Sequence, residues 1–391
     1  MIVFAANGGL FATWVSRLPA VRDDLGASER ELGFALLFTA VGSLLAMPLS
    51  GRLVNAVGAR KVMAGCVIVC CSSYPLLGLA PNLIVLSVVL FVLGAGVGVW
   101  DVSMNVSAQV VEARAGRTLM PGFHAGWSIG TVTGAGIGAL AAHYGVSPAA
   151  HFGLMCLVVG AVSIVLLQIM PDGRDESHDD VVETGGEHHV AVRPRPLILD
   201  PRLLGLGVMV FCAAWAEGAA NDWLAIMLTD TRDASGATAA LGFAIFAAGM
   251  TAARAAGNKI VDAFGRVRTL RIGALVTAVG LVIVLTVPWL GAAYFGALLW
   301  GLGIAIAFPL GMSAAGETPG RGPSAIATVA TIAYSGFLIG PPLIGTLAHE
   351  IGLDDALWVV LVLAAGILLL AGNARDPRIE RPSTAGERVQ G

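Results

Sequence analysis

The stretch GNKIVDAFGRVRTL, residues 257–270, is an altered repeat of SGRLVNAVGARKV, residues 50–62. In both stretches an Asp or Asn stands three residues before a glycine, and basic residues follow that glycine. Each stretch separates two long apolar runs. A short polar loop between two such runs indicates a turn between membrane-spanning helices. Its repetition predicts a chain built from two related halves.

The composition of the chain is that of a membrane protein. Of 391 residues, 56% are hydrophobic and 13% are charged, whereas a soluble domain carries about 25% charged residues. The formal net charge of −3 and the scatter of basic residues over short loops argue against a nucleic-acid partner. The five cysteines lie in apolar runs, away from histidines at ligand spacing. We interpret them as buried hydrophobes, not as metal ligands or disulfides.

Twelve apolar runs reach the length of a spanning helix, about 20 residues. The first run is barely long enough, which favours a start codon a few residues upstream of Met1. It lacks the basic segment that opens a signal peptide, so we interpret it as a span. The predicted spans are residues 2–20, 32–54, 62–80, 83–110, 119–142, 150–170, 202–229, 237–259, 269–288, 291–315, 324–348 and 353–373.

The distribution of basic residues predicts the orientation. An even number of spans places both termini on one side, and loops rich in lysine and arginine face the cytoplasm. Of 23 basic residues, only Arg22, Arg30 and Arg232 fall in loops on one side, with Arg17 at the adjoining end of the first span. We therefore predict a multi-pass protein of the inner or plasma membrane with both termini in the cytoplasm.

The predicted fold class is an all-α membrane protein with twelve transmembrane helices in two six-helix bundles. Residues 1–170 form the N-terminal bundle and residues 202–373 the C-terminal bundle. Residues 171–201 form a cytoplasmic linker and residues 374–391 a cytoplasmic tail. The linker is acidic, then basic and proline-containing, which is typical of a flexible solvated segment.

Three linker histidines stand beside carboxylates, a pattern that is also compatible with a metal site. Because a solvated linker needs no metal, we predict that the chain binds no metal and no cofactor. These histidines are His178, His188 and His189.

The two repeated loops contain residues suited to a gate. Gly58 and Gly265 permit tight turns, and Asp262 can accept hydrogen bonds from the amides that open the following helix. Basic side chains after each glycine are expected to hold the loops at the cytoplasmic face. The other loop residues assigned to the gate are Asn55, Arg60, Lys61 and Arg266.

Two carboxylates stand inside predicted spans, where an ionisable group costs about 2.5–3.5 kcal/mol and normally faces a polar cavity. Asp101 lies on the fourth span, within GVGVWDVSMNVSAQ, residues 96–109, and Glu217 lies near the midpoint of the seventh. A carboxylate whose surroundings alternate between dry and wet can take up and release a proton. Asp101 and Glu217 are therefore our candidates for proton coupling. A fixed charge or hydrogen-bond anchor within the bundle is the alternative for each.

Candidate substrate-binding residues are polar or aromatic side chains that share a face or a depth with these carboxylates, or with one another on the first span. For His124 the alternative to substrate binding is a structural contact that joins the fourth and fifth spans. For Asn7 the alternative is a structural hydrogen bond between helices. Trp127 can equally be a packing residue. The candidates are Asn7, Trp14, Asn105, His124, Trp127 and Asn221.

Arg254 lies on the eighth span, three residues before Gly257. One interpretation is that its side chain snorkels to the cytoplasm. The other is a cytoplasmic gate in which Arg254 pairs with Asp101 or lies near His124 while the protein faces outward. We include Arg254 among the gating residues.

With these features the chain resembles the major facilitator superfamily over essentially its whole length. The loop pair is similar to the family's G-x-x-x-D-R-x-G-R-R signature at both of its positions. Asn55 and Ala56 stand where the family has Asp-Arg, which weakens the family's salt-bridge latch in the first loop. The combination of DVSMNVSAQVVEARAGRTLMPGFHAGWSIG with WAEGAANDWLAIML resembles a branch of bacterial inner-membrane carriers related to fucose permease.

Two departures lower the resemblance to drug–proton antiporters of the same superfamily. Those proteins carry an arginine four residues before a glycine in the fourth span, where this chain has Leu90 before Gly94. Their fifth-span motif contains Gly-Pro, and Ala135 stands at the proline position here. Efflux is therefore the alternative function, ranked below uptake.

The resemblance implies a cavity lined by the first, fourth, seventh and tenth spans, and a monomer within the lipid bilayer. It implies a secondary active transporter, not an enzyme, that moves a small polar organic solute, sugar-like in preference, by proton-coupled symport. The alternative is proton-coupled efflux of drugs or metabolites. A non-transporting membrane sensor is the alternative of another class, but the linker and tail are too short for a signalling domain.

Overall fold

The computed structural model describes residues 1–115, 119–169, 200–318 and 321–375. The predicted linker lies outside these ranges except for residues 200–201, and so does the predicted tail after residue 375. Across the described ranges the secondary structure is helical, without strands. This confirms the predicted all-α fold class.

In the described ranges the N-terminal half contains seven helices and the C-terminal half eight, followed by a 3-10 turn at Ala371–Ala374. The first seven are α1 Ile2–Val15, α2 Leu18–Leu25, α3 Glu29–Val57, α4 Ala59–Leu77, α5 Leu83–Ala115, α6 Met120–His143 and α7 Pro148–Ile169. The others are α8 Pro201–Arg232, α9 Gly236–Phe264, α10 Arg266–Thr286, α11 Leu290–Ile304, α12 Ala307–Gly316, α13 Gly322–Ile351, α14 Leu353–Ala356 and α15 Val359–Leu370.

Within the described ranges, ten segments are long and apolar enough to cross a membrane. Helix α1 is shorter, with 14 residues, and α6 has spanning length, with 24 residues, but a composition rich in glycine, serine and threonine. The ten segments together with α1 and α6 make the twelve predicted passes. Helices α11 and α12 form one pass, α14 and α15 another, and α2 is a short connecting helix.

Successive passes reverse direction, so both termini reach the same face, which we call the termini face. There the Arg202 side chain, at the start of α8, donates to the backbone oxygen of Asn373 at 3.2 Å. The loops α3–α4, α5–α6, α9–α10 and α12–α13 lie on this face. The loops α4–α5, α6–α7, α8–α9, α10–α11 and α13–α14, and helix α2, lie on the opposite face.

Three predicted spans are interrupted: the first, the tenth, and the twelfth, which is expected over residues 353–373 and breaks between Ala356 and Val359. The first span was expected to run continuously over residues 2–20, but α1 ends at Val15 and α2 begins at Leu18. Pro19 has no amide hydrogen, which suits the first turn of a helix, and it stands in the first turn of α2. The tenth span, expected over residues 291–315, breaks between Ile304 and Ala307.

Glycines bring helices of one half into backbone contact. A Cβ atom on Gly130 of α6 would lie 2.0 Å from the carbonyl oxygen of Ala5 on α1. A Cβ on Gly94 of α5 would lie 2.1 Å from the carbonyl oxygen of Thr39 on α3. Small residues allow this close approach of membrane helices, so each half packs as a tight unit.

The two halves meet mainly along α3 with α13 and along α6 with α9. At the opposite face the backbones touch, because a Cβ on Gly33 would lie 2.5 Å from the carbonyl oxygen of Pro341. Helix α3 begins there with a capping box, in which Ser28 accepts from the Glu31 amide and Glu31 accepts from the Ser28 amide.

Candidate functional site

A cavity of about 220 Å³ lies between the two halves. The N-terminal half supplies most of its wall, and the C-terminal half supplies Asp222, Phe337 and Pro341. Two predicted substrate-binding residues, Asn7 and Trp14, line it. The remaining walls are Leu10, Phe11, Val15, Leu36, Thr39, Ala40, Ser43, Cys70, Tyr74, Leu90, Leu93, Gly94, Val97 and Trp100.

Asn7 and Trp127 are hydrogen-bonded to each other. The Trp127 indole Nε1 donates to Asn7 Oδ1 at 3.1 Å, which joins α1 to α6. Phe11 packs beside the Trp127 ring, with centroids 5.8 Å apart. The bond occupies the indole N–H and the amide oxygen, so the Asn7 amide nitrogen is the group left for a ligand.

Glu217 is paired with Arg254. The Arg254 Nη2 atom lies 3.3 Å from Glu217 Oε2 and 3.4 Å from Oε1. Arg254 Nε also donates to the carbonyl oxygen of Ala305, at the break between α11 and α12. The arginine therefore connects three passes of the C-terminal half. Asn221 and Trp127 line the small cavity beside this pair.

Asp101 has its own surroundings on α5. The Asn105 amide nitrogen donates to the Asp101 backbone oxygen at 2.8 Å and to Asp101 Oδ1 at 3.3 Å. His124 on α6 packs edge-on against Phe4 and lies within electrostatic range of both Asp101 and Arg254. The predicted polar groups of the two halves therefore face each other, and in this conformation Arg254 pairs with Glu217 instead of Asp101.

The turns in the repeated loops have the glycine conformation that their sequence suggests. Gly58 has φ +90° and Gly265 has φ +72°, where side chains other than glycine are disfavoured. Asp262 does not cap α10, because Gly265 occupies the N-cap position and Asp262 still lies within α9. The expectation of a hydrogen bond from Asp262 to the first amides of α10 was wrong.

Arg266 instead forms an ion pair with Glu317 at the end of α12. Its Nη2 atom lies 2.6 Å from Glu317 Oε1. Arg60 is half-buried and Lys61 is exposed on the termini face. The side chain of Asn55 lies outside what the structure describes.

An ion pair that the sequence did not reveal joins the halves at the opposite face. Arg22 of α2 contacts Asp230 of α8 through two hydrogen bonds of 2.5 and 2.7 Å. Arg22 also reaches Asp23 at 3.0 Å and Glu29 at 3.6 Å. The hydrogen bonds that Arg22 donates to Asp230 raise the pKa of its guanidinium above the usual value. With the Arg22 side chain 10% exposed and the Asp230 side chain 26% exposed, the pair is partly shielded from solvent.

Replacing Arg22 with alanine is expected to open the opposite face. A charge-assisted bidentate pair of this kind is worth about 1–2 kcal/mol, which corresponds to about a five- to thirtyfold change in an equilibrium. The measurement is labelling of a cysteine introduced at Ala40, in the cavity wall, by a membrane-impermeant maleimide, with the five native cysteines replaced. Arg30→Ala, an exposed arginine on the same face, is the control. Equal labelling of Arg22→Ala and the control would show that the Arg22–Asp230 pair does not hold the opposite face closed.

Comparisons with known proteins agree with this architecture. A family model described as the Major Facilitator Superfamily matches residues 1–227 and residues 206–389. An uncharacterised MFS-type transporter of Yersinia pestis is 35% identical over 375 residues, which cover 95% of this chain and 93% of the relative.

Two solved structures share the fold. The nucleoside transporter NupG is 13% identical, with a TM-score of 0.73, over 95% of this chain and 96% of the other. A D-xylose-proton symporter is 17% identical, with a TM-score of 0.69, over 95% of this chain and 96% of the other. At these identities the likeness is one of fold alone.

Proposed function

Because the chain belongs to the Major Facilitator Superfamily, we propose that it carries a small polar organic solute, sugar-like in preference, by proton-coupled symport. It is a multi-pass membrane transporter of this family. The solute class, the coupling ion and the direction are our proposal. The nucleoside and xylose carriers among the fold neighbours agree with a polar organic solute.

The observation that carries the proposal is a cavity between the two halves, which are joined at the opposite face by a charged pair and by contacts between helices. Arg22 and Asp230 hold the opposite face together, and the cavity lies between the halves. Lysine and arginine collect on the termini face, which we assign to the cytoplasm. The opposite face is then the outside, and this conformation is closed to it. Rocking of the halves would open the same cavity to the outside.

Proton coupling is assigned to Glu217 and Asp101. In this conformation Arg254 compensates the charge of Glu217. When the halves rock, the Arg254 side chain turns from Glu217 toward Asp101 and a proton takes its place on Glu217, because an uncompensated carboxylate in a closed site is costly. His124, within electrostatic range of Asp101 and Arg254, lies where it can pass a proton between the halves.

The direct test is transport by the purified protein. A panel of small solutes is first screened by thermal shift, and each stabilising solute is then offered to proteoliposomes under an imposed pH gradient. We expect at least one solute to accumulate above its external concentration while the gradient lasts, and the accumulation to vanish with a protonophore. Accumulation that is the same with and without the gradient would contradict proton coupling.

Replacing Arg254 with alanine is expected to leave the termini face more open, since the gate hypothesis has Arg254 pair with Asp101 or lie near His124 when that face is closed. A cysteine introduced at Thr251, in the small cavity beside the Glu217 pair, reports this. Its labelling from the termini face should rise several-fold in Arg254→Ala, while Arg254→Lys, which keeps the charge, changes less. Unchanged labelling in Arg254→Ala would exclude the gate.

A further inference from the structure

The cavity between the halves carries one acidic side chain and several aromatic rings. Asp222 lines it together with Trp14, Tyr74, Trp100 and Phe337. Within the part of the chain that the structure describes, the walls contain no lysine, arginine or histidine. An ionised Asp222 therefore makes this cavity negative.

Asp222 differs from the two coupling carboxylates in having no partner. Glu217 is paired with Arg254, and Asp101 accepts from Asn105. Across the described residues, the Asp222 carboxylate has neither an ion pair nor a hydrogen bond, and its side chain is partly buried in the cavity wall. A buried charge is retained in proteins when something compensates it. The missing partner is therefore a positive group that enters from outside the chain.

The aromatic and aliphatic residues of the cavity wall indicate which kind of positively charged group fits. Aromatic faces attract organic cations, and the attraction is stronger where water is excluded. A neutral polyol, by contrast, needs many hydrogen-bond partners, and most of this wall is aliphatic or aromatic. A cavity of about 220 Å³ fits a small molecule, not a peptide.

We infer that the cavity binds a small solute bearing a protonated amine, with Asp222 as its counter-ion and the aromatic rings as its walls. This inference rests on the proposed function and narrows its substrate class. A sugar-like solute would then be an amino sugar and not a neutral one. Asp222 is a specificity-determining residue, distinct from the coupling carboxylates.

The experiment compares matched amines and alcohols. D-glucosamine is set against D-glucose, and cyclohexylamine against cyclohexanol, at neutral pH, where both amines are mostly protonated. Binding to the purified wild-type protein is followed by tryptophan fluorescence, because Trp14 and Trp100 line the cavity. We expect at least one amine to bind at least tenfold more tightly than its alcohol, and Asp222→Asn to remove that preference.

The controls separate charge from folding. Asp233→Asn makes the same chemical change at the exposed end of α8 and should keep the amine preference. Asp222→Glu retains the charge and should restore the preference that Asp222→Asn loses, which excludes simple misfolding. Equal binding of amine and alcohol, or an amine preference that survives in Asp222→Asn, would overturn the inference.

Failure of the transport proposal gives a different result. An amine that binds through Asp222 but never exchanges across proteoliposomes would contradict transport and leave the binding site in place. A neutral solute that is transported without any amine preference would contradict the amine site and leave transport in place.

Discussion

Glu217→Gln is expected to abolish uphill uptake while exchange of solute across the membrane continues. Glutamine resembles the protonated side chain in shape but can neither release a proton nor form an ion pair with Arg254. The side chain at position 217 then stays uncharged throughout the cycle, so the proton gradient can no longer drive uptake through it. The accumulation ratio should fall from well above one to about one, measured in proteoliposomes with an imposed pH gradient.

Asp101→Asn is expected to behave in the same way, if Asp101 takes part in coupling. The Asn105 amide that donates to Asp101 can still find an oxygen on the introduced asparagine, so the helix should keep its local geometry. Asp233→Asn is the control, since Asp233 is exposed on the opposite face and has no assigned role. Normal proton-driven accumulation in both Glu217→Gln and Asp101→Asn would refute the coupling role.

Gly130→Ala is expected to prevent correct packing of the N-terminal half. The added methyl carbon would lie 2.0 Å from the Ala5 carbonyl oxygen and 2.7 Å from the Ala5 Cα atom. These are backbone atoms, which cannot rotate away as a flexible side chain can, so α1 and α6 must separate. Overpacking of this kind costs about 3 kcal/mol. We expect a lower melting temperature and a large loss of monodisperse protein in size-exclusion chromatography.

Gly136→Ala is the matched control for this prediction. Gly136 lies on the same helix, α6, and a Cβ atom there would meet nothing within 4 Å. The two variants therefore share chemistry and helix propensity and differ only in what the methyl group meets. If Gly130→Ala melts at the same temperature as Gly136→Ala, the contact between α1 and α6 is looser than the structure describes.

Most of the fold could be predicted from the sequence because span length, apolar runs and the repeated loops are local signals. The break after Val15 was missed although Pro19 marks it, since the surrounding apolar pattern continues across residues 2–20. The break at Ala305 has no such mark. There the Ala305 carbonyl oxygen accepts from Arg254, 51 residues earlier, a contact that no local pattern indicates.

The candidate site was predictable in its parts but not in its pairings. Intramembrane charge singled out Asp101 and Glu217, and helical spacing placed Asn105 beside Asp101. The pairing of Glu217 with Arg254 and that of Arg22 with Asp230 join residues 37 and 208 positions apart, which no local pattern encodes. Asp222 is not among the carboxylates that the sequence singles out. Its importance depends on the cavity, which exists only between the packed halves.

The interruption of the tenth pass at Ala305 gives the C-terminal half a joint that its counterpart lacks. The corresponding helix of the other half, α5, runs unbroken from Leu83 to Ala115. Since one guanidinium holds both the joint and Glu217, losing that carboxylate as a partner would also loosen the joint. The two halves, alike in layout, would then have different roles. The N-terminal half would stay rigid, and the C-terminal half would bend at Ala305 when Glu217 is protonated.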